Sequence, residues 1–485
     1  MTPNEALNIY HLGEAAVVKT LRELSETIEA QNEKIVTLEG EIAKHSKNSS
    51  NSSKPPSSDD ITKKKKKGNG KAKIGGQPGH PKYERPLFPK EEINETHPYI
   101  LTACPECNNS DVFILDDPPR VIQQMELATT QIIKVEHLSY PVWCEKCEKV
   151  HYMEFPKNIA KEGLFKARLT ALVAYMKYVC HASFSTIRKY IRDVLGETVS
   201  RSYLRKLIEK VTLSLEVPYN ELLDYLPLET VLHVDETGHK EKKEKFWTWV
   251  FRAELYVLFK IDKSRGSKVL IDVLGEEFKG TLGCDYYSAY KKYMKDFNVT
   301  IQFCIAHLIR NIRFLIDLKD IETKEYGLRI LEEIRNLFKI IHEKDNMTQK
   351  SFYAALIKVK KKIITTAVTN VPTKIDKNGK ELKKDAFNMV TRFKKHGEAY
   401  FEFITTPGID PTNNIAEQAI RFIVIDRYVT QGTRSIKGRK SCERLWTVIA
   451  TCALQGQSAY NFILKAVIAY SNSRPAPSLL LFDTS

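Results

Sequence analysis

The chain has 485 residues, of which 42% are hydrophobic, enough for roughly two to four domains with ordinary cores. Its 75 Lys and Arg against 60 Asp and Glu leave a net charge of +15 and a pI near 9.1, which suits a polyanionic partner, nucleic acid before membrane surface. No apolar run reaches the roughly 18 residues of a transmembrane helix, and the polar N-terminus carries no signal-peptide pattern, so a cytoplasmic protein is expected and a membrane partner is not.

Residues 1–47 begin the chain with Val17, Leu21, Leu24, Ile28, Gln31, Ile35, Leu38 and Ile42, spaced alternately four and three apart. That is a heptad seam with one polar position, and it predicts a coiled-coil helix through which copies of the chain associate. A single amphipathic helix packed on its own core is the plainer reading. Residues 48–95 read as a linker. They open with a Ser, Asn and Pro tract too polar to bury a core, continue through Lys63–Lys67, Lys71 and Lys73, and pass into the turn-rich GGQPGHP at 75–81. The lysines suit the nucleic-acid backbone, or are only a solvated tail.

Residues 96–155 contain Cys104-Pro-Glu-Cys107 and Cys144-Glu-Lys-Cys147, with 36 residues between the pairs. Each pair can form a knuckle offering two thiolates, so the four cysteines suit one tetrahedral structural zinc. A thioredoxin-type redox site would need one pair only. Val121–Met125 and Gln131–Val135 are predicted as strands of this zinc-ribbon-like module. Residues 160–225 are predicted helical, with an apolar face at Leu169, Leu172, Tyr175 and Met176. Ser183–Leu195, the turn Gly196–Val199, and a helix from Arg201 capped by Ser200 form a helix-turn-helix pattern. On the second helix Arg201, Ser202, Arg205, Lys206 and Lys210 can meet DNA phosphates and base edges. A plain helical hairpin is the alternative.

Residues 226–315 change to strands. Val231–Val234 is predicted as a buried strand delivering Asp235, and Phe246–Phe251 and Leu255–Phe259 as two further strands. A helix over Ser267–Leu274 precedes a fourth strand, Gly280–Cys284, which delivers Asp285; Ile301–Ile305 is the fifth, before a helix from His307. This order is that of a ribonuclease H-like α/β core, in which the first and fourth strands lie side by side, so Asp235 and Asp285 should converge. Glu236 would point to the opposite face of its strand. Residues 316–405 read as a helical insertion, with Ile330, Ile334, Leu337 and Ile341 at helical spacing. Residues 406–470 complete the core. There Asn413 or Asn414 can cap a helix carrying Glu417 in its first turns and Arg421 one turn further on. Arg310 and Arg421 are candidate phosphate contacts. Residues 471–485 form a tail, and Asp262, Glu398 and Glu402 are left as solvated carboxylates.

The heptad helix, the Ser/Asn/Pro linker, GGQPGHP, the paired C-x-x-C, the HVDETG strand and the NNIAEQAIR helix resemble, in this order and nearly end to end, a transposase of the insertion sequence 66 family, one of the DDE transposases. The resemblance implies that Asp235, Asp285 and Glu417 are the DDE trio of a DNA transposase, that a helical insertion separates the last two, here 132 residues apart, and that transposon ends and target DNA are the partners. It also implies a bacterial, nucleoid-associated protein and accessory proteins from the same element. The segment Gln431–Lys440 departs from the family's Gly-rich pattern, which puts its DNA contacts in doubt.

Three carboxylates suit magnesium or manganese, which prefer oxygen ligands. In a two-metal site Asp235 would bridge both ions, and Asp285 and Glu417 would each hold one; such a pair activates a water and stabilises the leaving oxygen of a phosphodiester. The competing readings are a transposon-derived DNA-binding protein that has lost catalysis, and a ribonuclease H-like nuclease without strand transfer.

Overall fold

The computed structural model describes residues 2–45, 87–93, 132–144, 149–373 and 385–481, with a few isolated positions between 96 and 123. The chain forms two compact units, residues 61–137 and the rest. In the smaller, the Gln123 side chain bonds both backbone groups of Phe88, beside a 3₁₀ turn at Lys90–Glu92. Cys104, Cys107 and Cys147 lie outside the described residues, and with them the zinc expectation. The described parts of the two predicted ribbon strands carry no strand. The strand pair near them, which belongs to the larger unit, is β1 (Pro141–Cys144), ending at Cys144, antiparallel to β2 (Lys149–Tyr152).

In the larger unit, α1 (Pro3–His11) starts in a capping box between Thr2 and Glu5, and α2 (Glu14–His45) carries the heptad seam. Leu21, Leu24, Ile28, Ile35 and Leu38 on that seam are all exposed. Glu39 on α2 pairs with Lys319. Then come α3 (Lys157–Glu162), α4 (Ala167–Tyr178), α5 (Phe184–Leu195), α6 (Arg201–Ser214) and α7 (Glu216–Tyr225). Gly196 closes α5 at φ 70° and Ser200 Oγ accepts from Tyr203 N at 3.1 Å to start α6. The innermost face of α4 is Thr170, Ala171, Val173 and Ala174 rather than the larger residues its sequence marks out, because small side chains let α16 (Ala459–Ser471) pack closely there.

Five strands form one mixed sheet: β3 (Val231–Glu241), β4 (Glu244–Arg252), β5 (Val257–Asp262), β6 (Thr281–Cys284) and β7 (Thr300–Phe303), in the order β5-β4-β3-β6-β7. The β3, β4 and β5 strands meander antiparallel, while β6 and β7 join parallel to β3. β3 runs well beyond Asp235, because Glu236–Glu241 continue pairing with Glu244–Trp249 of β4 and the chain turns only at Lys242, φ 54°. Connecting helices are α8 (Lys268–Leu274), α9 (Ser288–Phe297) and α10 (Ile305–Ile316). The helical insertion follows: α11 (Ile321–His342), α12 (Gln349–Val368) and α13 (Asp385–His396), packed through Ile330, Ile334, Leu337, Leu356, Val359 and Ile363. The chain then returns through α14 (Asn414–Thr430), α15 (Ile436–Leu454) and α16. Among the described residues no helix is long and apolar enough to cross a membrane.

Both sheet edges are closed by side chains, which removes the unpaired ladder that would otherwise invite aggregation. Along β5, successive turns of α15 supply acceptors: Glu443 to Ile261 N at 2.7 Å, Thr447 to Phe259 N at 3.0 Å, and Thr451 to Val257 N at 3.1 Å. At the β7 edge the Gln302 side chain bonds Tyr400 O and Phe403 N, each at 2.9 Å. The segment after α14 is bound to the far end of β3, with Thr433 N on Lys240 O at 2.9 Å and Lys242 N on Thr433 O at 3.0 Å. Gly432 is required there: its φ is 85°, and a Cβ would fall 2.1 Å from Lys240 O. The tail folds back, burying Leu479 and bonding Leu481 N to Tyr256 Oη at 3.0 Å.

Two expectations follow from these contacts. Thr447→Val keeps the shape of the side chain but strands the buried Phe259 N–H; unfolding in urea should show a loss of about 1–3 kcal/mol. His239 is buried, with Nε2 3.0 Å from Thr433 Oγ1 and Nδ1 3.2 Å from Thr248 Oγ1. Burial first, then Arg427 and Arg439, push its pKa down to about 4. The unfolded chain therefore takes up this proton near pH 6.5 and the folded chain only near 4. Its contribution to stability is complete above pH 6.5 and is lost as pH falls towards 4, at up to about 1.4 kcal/mol per pH unit. Thermal melts across that window should fall more steeply for the wild type than for His239→Asn.

Candidate active site

The register of the parallel pair decides where Asp235 and Asp285 stand. Val231, Leu232 and His233 pair with Thr281, Leu282 and Gly283. Each Asp therefore follows two residues after a paired position, on adjacent strands running the same way. β6 ends at Cys284, so Asp285 leaves the sheet beside the middle of β3. A Cβ on Gly283 would lie 2.5 Å from His233 Nδ1: the imidazole occupies the space that a larger residue on β6 would need.

The same imidazole reaches the third element. His233 Nδ1 lies 3.0 Å from Asn413 Oδ1, and Asn413 Nδ2 donates to Val234 O at 2.9 Å. With its amide nitrogen committed to a carbonyl, Asn413 accepts from His233, so Nδ1 carries the proton. Asn413 N also donates to Cys304 Sγ at 3.2 Å, and Ile305 N to Pro411 O at 2.9 Å. Asn413 does precede α14, but its side chain gives no cap bond to the helix; it is spent on β3 instead. These bonds fasten the start of α14, and hence Glu417, across the ends of β3 and β7.

Three carboxylates thus share one electrostatic neighbourhood. Asp235 is pushed well above the usual carboxylate range, by burial first and then by Glu236, Asp285 and Glu417. Burial also lifts Asp285 to about 6, against the pull of Arg265. Asp285 Oδ1 is buried and has no hydrogen-bond partner. An orphaned carboxylate oxygen among like charges fits a site that takes up a hard cation. The side chains are not drawn together as ligands: among the described residues no three His, Cys, Asp or Glu groups form a set that could hold an ion. Glu417 is turned towards α10, 3.3 Å from Arg310 Nη2 and 3.6 Å from His307 Nδ1. His307, held neutral by burial and by Arg310 with a pKa of about 4, lies 3.1 Å from Arg310 Nη1. Mutual repulsion of the carboxylates and the pull of Arg310 both favour this spread arrangement.

Glu236 has a different role from its neighbour. Thr237 accepts from Arg427 of α14 at 3.1 Å, whereas Glu236 bonds Tyr290 of α9 at 2.5 Å and Arg265 at 2.7 Å. The Arg265 guanidinium is stacked 3.9 Å over Tyr287 and 4.4 Å over Trp247. Burial and the charge of Asp285 raise Glu236 to about 7, against the pull of Arg265, whose own side chain is about one-third exposed. Sequence reading missed Asn413 as a tether and Arg265 and Tyr290 as partners of Glu236. A polar residue at a helix start reads as a cap, and the other two partners are 29 and 54 residues away from Glu236 along the chain.

Of the other candidates, Arg201, Ser202, Arg205 and Lys206 lie on the exposed face of α6, although Arg201 also donates to Ser185. Lys210 is turned to Glu162 O at 3.0 Å. The opposite face of α6 is buried, and Thr212 there meets Ser441 and Arg444 of α15, so this helix is part of the same compact unit as the sheet. Arg310 is engaged by Glu417, and Arg421 is exposed one turn beyond it.

Among known proteins, the HTLV-2 integrase catalytic core domain in complex with magnesium, in its dimeric form, is similar at 17% identity over 30% of this chain and 89% of that one, with a TM-score of 0.13. Its trimeric form gives 16% over 31% and 92%, with the same TM-score of 0.13. Superposition that poor adds nothing to the strand order described above. No curated protein matches. Residues 4–86 match a family of unknown function (DUF6444). Residues 162–441, which take in the α4–α7 helices, all five strands of the mixed sheet, the insertion and the α14 helix, match the Transposase IS66 family. That match spans more than half of the chain: the chain belongs to the Transposase IS66 family.

Proposed function

We propose that the protein is a DDE transposase that binds the ends of its element and catalyses DNA strand cleavage and strand transfer at Asp235, Asp285 and Glu417. The observation that carries this reading is the in-register delivery of Asp235 and Asp285 by neighbouring parallel strands, with Asp285 Oδ1 buried and unpartnered. Asp235 and Asp285 would form the fixed side of a magnesium or manganese site, and Glu417 would complete it on leaving Arg310. Two such ions, when bound, supply an activated water or 3′-hydroxyl and neutralise charge on the leaving oxygen. The residues around them do the positioning. Asn413 and His233 hold α14 against β3, Arg310 is freed to meet a phosphate as Glu417 turns, and Arg265 keeps Glu236 compensated.

The remaining parts of the chain support assembly on DNA. The exposed basic face of α6 suits phosphates and base edges, with Arg421 near the trio as a further contact. Cys104, Cys107, Cys144 and Cys147 have the ligand spacing of a structural zinc. The exposed apolar seam of α2 suits a second copy of the chain, since an isolated helix gains most of its stability by burying such a face. Accessory proteins of the same element are further candidate partners.

Purified protein with magnesium and a labelled duplex of the element's end should give strand-transfer product. Asp235→Asn should reduce it by more than about a hundredfold, the loss that even slight misplacement of reacting groups produces, while end binding survives. Full activity in that variant would remove Asp235 from the site; end binding with no product from the wild type would favour the catalytically silent reading, and cleavage without joining a plain nuclease. For the seam, sedimentation of the wild type should report a dimer or larger species. A Leu24→Lys, Ile28→Lys double variant should shift it to monomer. A monomeric wild type would rule out the seam as an interface.

A further inference from the structure

Arg392, on α13 of the helical insertion, is a buried cation that forms no ion pair among the described residues, with the Asp285 carboxylate acting on it only at longer range. It is 8% exposed. Nε donates to Tyr400 Oη, and Nη1 donates to Asn311 Oδ1 at 2.8 Å. Nη2 is buried with no partner, and among the described residues no carboxylate pairs with the guanidinium. The group lies 3.9 Å over the ring of Tyr286, the residue that follows Asp285. It borders a cavity of about 350 Å³ whose polar lining includes Asn311, Asn388 and Asp385.

A second basic side chain and an imidazole share the same aromatic ring. Lys291 lies 4.2 Å over the same Tyr286 ring, and the His396 ring meets it edge-on at 5.7 Å. Burial pushes the Lys291 ammonium down, with repulsion from Arg392 and Lys395 opposed by the attraction of Asp285. Asp385, the carboxylate on the cavity wall, is seven residues before Arg392 on α13, which is about two helical turns or 10 Å. Neutral acceptors satisfy two edges of the guanidinium but not its charge, and a buried, unpaired cation is costly. A tetrahedral oxyanion offers what is missing: negative charge and acceptor oxygens matched to the Arg fork.

We propose that Arg392, with Asn311, Asn388 and Lys291 around it, forms a phosphate subsite that takes a backbone phosphate of the DNA strand lying across Asp285. The insertion would then grip the strand beside the carboxylates rather than only packing on the sheet. The DNA occupant rests on the transposase reading; the anion site itself does not. Arg392 acts as a binding and positioning residue, since it is not placed on the reacting atoms.

The test uses the full chain and two probes, inorganic phosphate and a labelled DNA duplex. In thermal melts, phosphate should stabilise the wild type more than chloride at equal ionic strength, and Arg392→Gln should lose that difference. In calcium, duplex binding by Arg392→Gln should weaken by about tenfold, as expected for loss of one charged hydrogen bond. The slope of log K against log salt should shrink by about 0.9, the value for one phosphate contact. Arg392→Lys should keep most of the slope. Asn311→Asp provides a second route if the Gln variant folds poorly: a carboxylate 2.8 Å from Nη1 supplies the missing counter-ion, so it should melt no lower than wild type yet lose the same slope and the phosphate effect. Wild-type slope and phosphate stabilisation in Asn311→Asp and in folded Arg392→Gln would overturn the subsite. A phosphate effect abolished in these variants, with no salt-dependent duplex binding by the wild type, would instead overturn the DNA occupant and the transposase reading beneath it.

Discussion

Everything at the candidate active site depends on the space that Gly283 leaves for His233. The missing side chain lets β6 run beside β3 with the imidazole between them, and the imidazole then reaches Asn413. One buried ring thereby connects the strand that bears Asp235, the strand that delivers Asp285 and the helix that bears Glu417. Burial depresses the His233 pKa, which keeps the ring neutral with its Nδ1 proton directed at the amide.

The carboxylates are arranged with restraint. Placing several of them together in a half-buried cleft is unfavourable unless protons or cations compensate. The protein uses partial solutions to this problem. Asp235 and Asp285 retain protons more tightly than free carboxylates, Glu236 is covered by Arg265 and Tyr290, and Glu417 rests on Arg310.

The other long-range feature is the way helices close the sheet. α15 presents Glu443, Thr447 and Thr451 at successive turns to the free amides of β5. Its other contacts, through Ser441 and Arg444, fasten the α6 helix and its neighbours to the same unit. The helix bearing the exposed Arg201, Ser202, Arg205 and Lys206 is therefore tied to the sheet through α15, and the α7 helix that follows it adds a bond from Tyr219 Oη to Phe259 O at 3.0 Å.

Local pattern in the sequence was enough for the order of strands and helices and for the antiparallel meander, because periodicity and turn residues act over a few neighbours, whereas the fourth strand beside the first followed from the likeness to a ribonuclease H-like order, and the helical insertion from the family resemblance. It stopped β3 too early, since a charged, alternating extension such as His239-Lys240-Glu241 is a strand only when a partner arm pairs with it. It expected ribbon strands before the second cysteine pair, but their described residues carry no strand, while β1 ends at Cys144 and pairs with β2. It could also name carboxylates, histidines and arginines as candidates by residue type. What only the tertiary structure decided is who faces whom: Asn413 on β3 rather than on its own helix, Arg310 on Glu417 rather than free, Glu236 bonded to Arg265 and Tyr290, and Arg392 near Asp285 without an ion pair. Each of these depends on groups many residues apart meeting in a low-dielectric interior, where a charge or an amide must find a partner, and no local pattern records which partner that will be.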